Sequence, residues 1–174
     1  MKLLVTSLLL GAVAGAAQWN MTTLNDQQVI GIEARTTNAR EMTADGIIGK
    51  QWTRFMKDNL LARIPNKADS AIVALYTDYE SDKDGAYTFV LGARVSSVAS
   101  IPGGMVARKV PAGRYAVFTS DRGPVARVVY ETWKRIWAAP LERVYWTDFE
   151  VYDERAADPQ NTQISVYVGV HDNR

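Results

Sequence analysis

Apolar residues recur along this chain with two periods, and the switch between them happens twice in the same order. Alternation over residues 29–35 predicts a strand. Helical spacing follows over 45–63, where Ile47, Ile48, Trp52, Phe55, Met56 and Leu60 share one face. Thr43 or Asp45 offers an N-cap, and Pro65 stops the helix. Strands are predicted next at 71–79 and 87–95, joined by the hairpin-like loop Ser81-Asp82-Lys83-Asp84-Gly85. In the second of them Tyr87, Phe89, Leu91, Ala93 and Val95 fall on one face.

The second pass begins with a strand over 105–120, bulged or interrupted at Pro111-Ala112-Gly113. A helix over 124–138 follows, with Pro124 in its first turn and Pro140 beyond its end. Its apolar stripe is Val125, Val128, Val129, Trp133, Ile136 and Trp137. Strands at 145–152 and 163–170 close the pass, and Ile164, Val166, Val168 and Val170 share a face of the second. The chain therefore reads as an α+β protein of two pseudo-duplicated βαββ modules, with antiparallel sheet and two main helices. Trp52-Thr53-Arg54-Phe55 echoes Trp133-Lys134-Arg135-Ile136, and Tyr76-Thr77-Asp78-Tyr79-Glu80 echoes Phe149-Glu150-Val151-Tyr152-Asp153. In that alignment Glu150 falls opposite Thr77. Two such modules build one sheet or two facing half-sheets, with a groove at the seam.

Composition narrows the chemistry more than it names it. The chain has 174 residues, enough for one domain, and a formal charge of +1, which gives no general electrostatic case for nucleic acid or anionic membrane. It has no cysteine, and its one histidine, His171, is the fourth residue from the end. Thiolate chemistry, histidine triads and Cys/His metal sites are thereby excluded, and no metal or cofactor is expected. The acidic turn at Glu80, Asp82 and Asp84 lacks the ligand spacing of a calcium loop.

Residues 1–20 are set apart from a domain at 21–174. Lys2, the apolar run 3–13 and Ala14-Gly15-Ala16 have the form of a signal peptide with a small-x-small cleavage site, which implies export. The alternative is a non-native extension ahead of a true start at Met21, which implies a cytoplasmic protein. The run is short for a membrane span, and no membrane association is expected of the mature domain.

Glu150 is the residue on which a functional reading turns. It sits mid-strand, and parity places it with Asp148 and Tyr152, away from Phe149 and Val151. A mid-strand carboxylate either faces water or needs a positive partner. On the pattern alone both cases stand.

The residues of the second module resemble the gyrase-inhibitor-like (GyrI-like) family, which is also the effector-binding domain of AraC- and MerR-type multidrug-sensing regulators. The likeness is carried by Val110-Pro111-Ala112-Gly113-Arg114-Tyr115-Ala116-Val117-Phe118, Gly123, Phe149-Glu150-Val151-Tyr152-Asp153 and Ile164-Ser165-Val166-Tyr167-Val168. The first module agrees at Trp52, residues 76–80, Gly85-Ala86-Tyr87-Thr88 and Leu91-Gly92, and Glu80-Ser81-Asp82 before Gly85 is similar to stand-alone cationic-drug-binding members. The resemblance spans about residues 28–170. It implies a gyrase-inhibitor-like fold around an aromatic pocket that binds a hydrophobic, cationic small molecule. Its characteristic acid corresponds to Glu150, and Trp52, Tyr76, Tyr115, Trp133 and Tyr152 are the implied lining.

Such a pocket has a physical logic. Desolvation raises the carboxylate's pKa, a bound cation restores its charge, and each aromatic face adds roughly 0.5–2 kcal/mol of cation–π attraction. The chain shows no helix-turn-helix region, no basic stripe and no length to spare beyond the domain, so it is not expected to bind DNA by itself. One alternative function is a hydrolase of strained electrophilic natural products, with Glu150 as general base and Tyr115 or Tyr152 as donor. Another is a protein-interaction inhibitor of a gyrase-like partner, which requires the cytoplasm. Homodimerisation is left open.

Overall fold

The computed structural model describes residues 19–171, so the predicted signal segment before Trp19 lies outside it. The chain runs β1 (Asn20–Leu24), β2 (Gln27–Thr36), α1 (Asn38–Glu41), α2 (Ile48–Lys57), α3 (Leu60–Arg63), β3 (Ile72–Thr77) and β4 (Tyr87–Val95). It continues through β5 (Val106–Val110), β6 (Gly113–Thr119), α4 (Val125–Ala138), β7 (Arg143–Tyr152) and β8 (Ser165–Val170). All eight strands join one antiparallel sheet in the order β1-β6-β8-β7-β3-β4-β2-β5. From the central β7·β3 seam outward, both halves read second, third, then first strand of a βαββ module, as the duplication requires.

The outermost strands are exchanged between the modules. β1 precedes the first module but pairs with β6 of the second, and β5 precedes the second but pairs with β2 of the first. This fixes the shape of the sheet. In a flat sheet β5 and β6 would lie six strand spacings apart, about 29 Å. Only Pro111 and Ala112 connect them, and two residues reach roughly 10 Å. The sheet must therefore curl until its ends nearly meet.

Two cores follow from that curl. Inside it, side chains from strands and their flanks alone bury one another: Val29, Val73, Leu75, Val90, Val110, Tyr115, Phe149 and Val151. Phe149 stacks flat on Tyr167, with centroids 4.5 Å apart. Gly31 and Gly92 face each other across β2 and β4, where an added Cβ would lie 2.3 and 1.9 Å from the opposing carbonyl oxygens of Leu91 and Ile30. Only glycine lets the strands bend this sharply on the inside of the curl. On the outer face, Phe55, Leu60, Trp133 and Ile136 of the helical segments cover Ile30, Phe89, Leu91, Phe118, Ile164, Val166 and Val168.

The predicted elements need five corrections. The helix over 45–63 is two helices, because Asn59 takes a left-handed conformation (φ 47°) between α2 and α3. Neither Thr43 nor Asp45 caps α2. The Glu41 carboxylate reaches back from α1 and accepts the N–H groups of Ile47 and Ile48 at 3.0–3.1 Å. Pro124 is the N-cap of α4 rather than a first-turn residue. The strand over 105–120 is interrupted at Pro111-Ala112 as predicted, but its two parts, β5 and β6, lie on different modules. Strand β1, absent from the sequence reading, starts at Asn20, and Trp19 before it stacks on Phe118 at 5.3 Å.

Candidate ligand-binding cavity

α2 and α4 do not meet over the central seam. Between them lies a cavity of about 1350 Å³, walled by Ile48, Trp52 and Met56 on one side and Val125, Val129, Trp133 and Trp137 on the other. Tyr76 of β3 and Tyr152 of β7 rise from the floor. The apolar stripes of both helices are wider than the core needs, and the surplus lines this space.

Glu150 lies beneath the floor, 1% exposed. Its Oε1 accepts the Tyr76 hydroxyl at 2.9 Å and the Trp133 indole N–H at 2.6 Å, and its Oε2 accepts the Tyr152 hydroxyl at 2.7 Å. Ala74, directly across the seam, leaves room for the three donors to converge. No lysine or arginine among the described residues forms an ion pair with it. Burial raises its pKa above the usual carboxylate value, and the bonds from Trp133, Tyr152 and Tyr76 offset part of that shift. Burial together with the nearby carboxylate pushes the Tyr76 and Tyr152 phenols well up, so both remain donors at any working pH.

The rings above the acid form two groups. Trp52 meets Tyr152 edge-on at 4.8 Å, Tyr76 meets Trp133 edge-on at 5.2 Å, and Trp133 leans on Trp137 at 6.1 Å. Trp52, Tyr76, Trp133, Tyr152 and Glu150 thus stand together. Tyr115 does not. It faces the inside of the curled sheet, edge-on to Phe149, and donates to the Pro111 carbonyl at 2.8 Å. Parity accounts for this, since the Tyr115–Gly169 pair lies two positions from the Val117–Tyr167 pair and so shares the face of Tyr167. Thr77 is likewise no counterpart of Glu150: it points to the opposite face and bonds Thr147 at 3.1 Å.

A second buried acid, Asp148, shares the face of Glu150 and has what Glu150 lacks. Its Oδ2 pairs with Arg143 Nη2 at 2.5 Å and accepts the Tyr79 hydroxyl at 2.8 Å, while Oδ1 accepts the Gly169 N–H at 2.9 Å. Arg143 reaches Asp148 because β7 is irregular between them, with Tyr145 at φ 53°. Arg143 and Tyr79 also line the cavity, and the sequence reading assigned neither a role. The bulge that brings them together leaves no periodic mark. At the mouth, Met42, Met56, Tyr130 and Trp137 are exposed.

Comparison with known proteins finds a family and a shared fold. The family model described as integron-associated effector binding protein (Cass2) matches residues 20–170. YobU of Bacillus subtilis (strain 168), provisionally named a transcriptional regulator, is 38% identical over 154 residues, covering 87% of this chain and 96% of its own. The crystal structure of the integron cassette protein VCH_CASS2 of Vibrio cholerae superposes with a TM-score of 0.71 at 32% identity, over 89% of this chain and 97% of that one. The structure of SAV2435 bound to tetraphenylphosphonium shares the fold at 17% identity, with a TM-score of 0.69 over 88% and 94% of the two chains.

Proposed function

From the premise that the chain belongs to the integron-associated effector-binding family, and so is a small-molecule-binding domain of gyrase-inhibitor-like fold, we propose that it binds hydrophobic cations in the cavity above Glu150. The observation that carries this reading is the state of that acid. It is buried, triply hydrogen-bonded and without a cationic partner, while Asp148 two positions away has one. A lipophilic cation on the rings of Trp52, Tyr76, Trp133 and Tyr152 would supply the missing charge without needing a hydrogen bond from the protein. The large apolar volume and the flexible methionines at the mouth suit ligands of varied shape. The cation bound by SAV2435 has this chemistry.

The hydrolase alternative fits less well. A general base must reach water, and Glu150 is buried beneath the floor and held there by three donors. Tyr115 lies on the other face of the sheet and is pushed up to about 12 by burial.

Tetraphenylphosphonium and tetraphenylborate test the reading, because they share size and shape and differ in the sign of their charge. The cation is expected to raise the melting temperature and quench the fluorescence of Trp52, Trp133 and Trp137, and the anion to do neither. Equal responses to the two would contradict the proposal.

A further inference from the structure

The cavity holds a second polar feature besides the acid below it. Arg143 lines the cavity wall, yet its side chain is only 6% exposed. Its guanidinium lies 4.3 Å from the Tyr145 ring centroid and 6.0 Å from that of Trp133, the same indole whose N–H holds Glu150. A guanidinium carries five N–H donors. Arg143 uses one of its three nitrogens, Nη2 on Asp148. Nε is buried without a partner. No hydrogen bond among the described residues involves Nη1. Asp148 itself accepts from Arg143 Nη2, Tyr79 and Gly169, and takes no bond from Nε or Nη1.

A guanidinium nitrogen buried without a partner, as Nε is, is costly unless something completes it. Among the described residues no acceptor bonds these donors, whereas a ligand in the cavity would supply one. Trp133 separates the two polar features: the acid holds its indole N–H, and Arg143 faces its ring.

Resting on the cation reading above, we propose that the cavity is bipolar: Arg143 is a ligand-binding residue that donates to an oxygen acceptor on the bound molecule. The ligand class is therefore an aromatic cation that also bears a carbonyl, ester or carboxylate group about one ring width from its charge. The pair with Asp148 holds the guanidinium in place and neutralises its charge, so the cation is not repelled.

Two dyes of one fluorophore test this: tetramethylrhodamine methyl ester and tetramethylrosamine, which lacks only the ester. Dissociation constants are measured by tryptophan quenching in the wild type and in Arg143→Lys. Lysine can keep the charge beside Asp148 but lacks the guanidinium fork. The ester dye is expected to bind the wild type roughly tenfold tighter, the factor of a charge-assisted hydrogen bond. In Arg143→Lys that preference, read as the ratio of the two dissociation constants, is expected to vanish. Equal binding of both dyes to the wild type would overturn the Arg143 subsite alone, and needs no variant to fold. So would an Arg143→Lys variant that keeps the preference, or one that weakens both dyes alike. Binding of neither dye would overturn the cation reading and this proposal with it.

Discussion

Glu150 and Asp148 are two buried acids on one strand face with opposite fates. Asp148 is paired, and Glu150 is held by neutral donors. That difference has a consequence for stability. The folded-state pKa of Glu150 is raised, so its contribution is fully present below the ordinary carboxylate range and is lost as pH rises through the raised value. Glu150→Gln does not titrate, and it keeps an acceptor oxygen. Its melting temperature relative to wild type is expected to rise as pH increases across that window. Parallel melting curves against pH would show that the acid is not strained. Parity in the sequence put Glu150 beside Tyr152, and the structure joins them at 2.7 Å. The sequence held no sign of Arg143, because its approach depends on the bulge around Tyr145.

The helices show how far a periodic pattern reaches. The stripe Ile48, Trp52, Phe55, Met56 and Leu60 is real, but it divides between two destinations. Phe55 and Leu60 enter the core, while Ile48, Trp52 and Met56 wall the cavity. Val128 and Ile136 of α4 part in the same way from Val125, Val129 and Trp137. Apolar spacing identifies the face turned from water, yet it cannot say whether protein or ligand covers that face. The break at Asn59 was illegible for another reason: asparagine is tolerated in a helix, and only the bend toward Leu60 demands a left-handed residue. Asn59→Ala is expected to cost about 1 kcal/mol, the penalty of a Cβ at positive φ, and Asn59→Gly to be neutral. Denaturant midpoints measure both. An unchanged midpoint for alanine would mean that α2 and α3 can fuse.

At the scale of the molecule, the duplication and the strand faces were legible because they rest on local pattern. The exchange of β1 and β5 between modules was not, since a strand's sequence does not name its neighbour. That exchange curls the sheet, buries a second core of strand side chains, and leaves both main helices on the outer face where they frame the cavity. The curl depends on the Gly31–Gly92 crossing. Gly92→Ala is expected to destabilise the fold by about 3 kcal/mol, because its Cβ meets backbone that cannot give way. A variant as stable as wild type in chemical denaturation would show a gentler curl than the one described.

The central claim is that the uncompensated charge of Glu150 draws cations to the rings above it. Calorimetric titration of tetraphenylphosphonium into wild type and Glu150→Gln at neutral pH tests it most directly. A unit charge ~7 Å from the ligand, at an effective dielectric of ~20, amounts to about 2 kcal/mol. The variant is therefore expected to bind roughly 10- to 100-fold more weakly while remaining folded. Equal affinity in the two proteins would contradict the account.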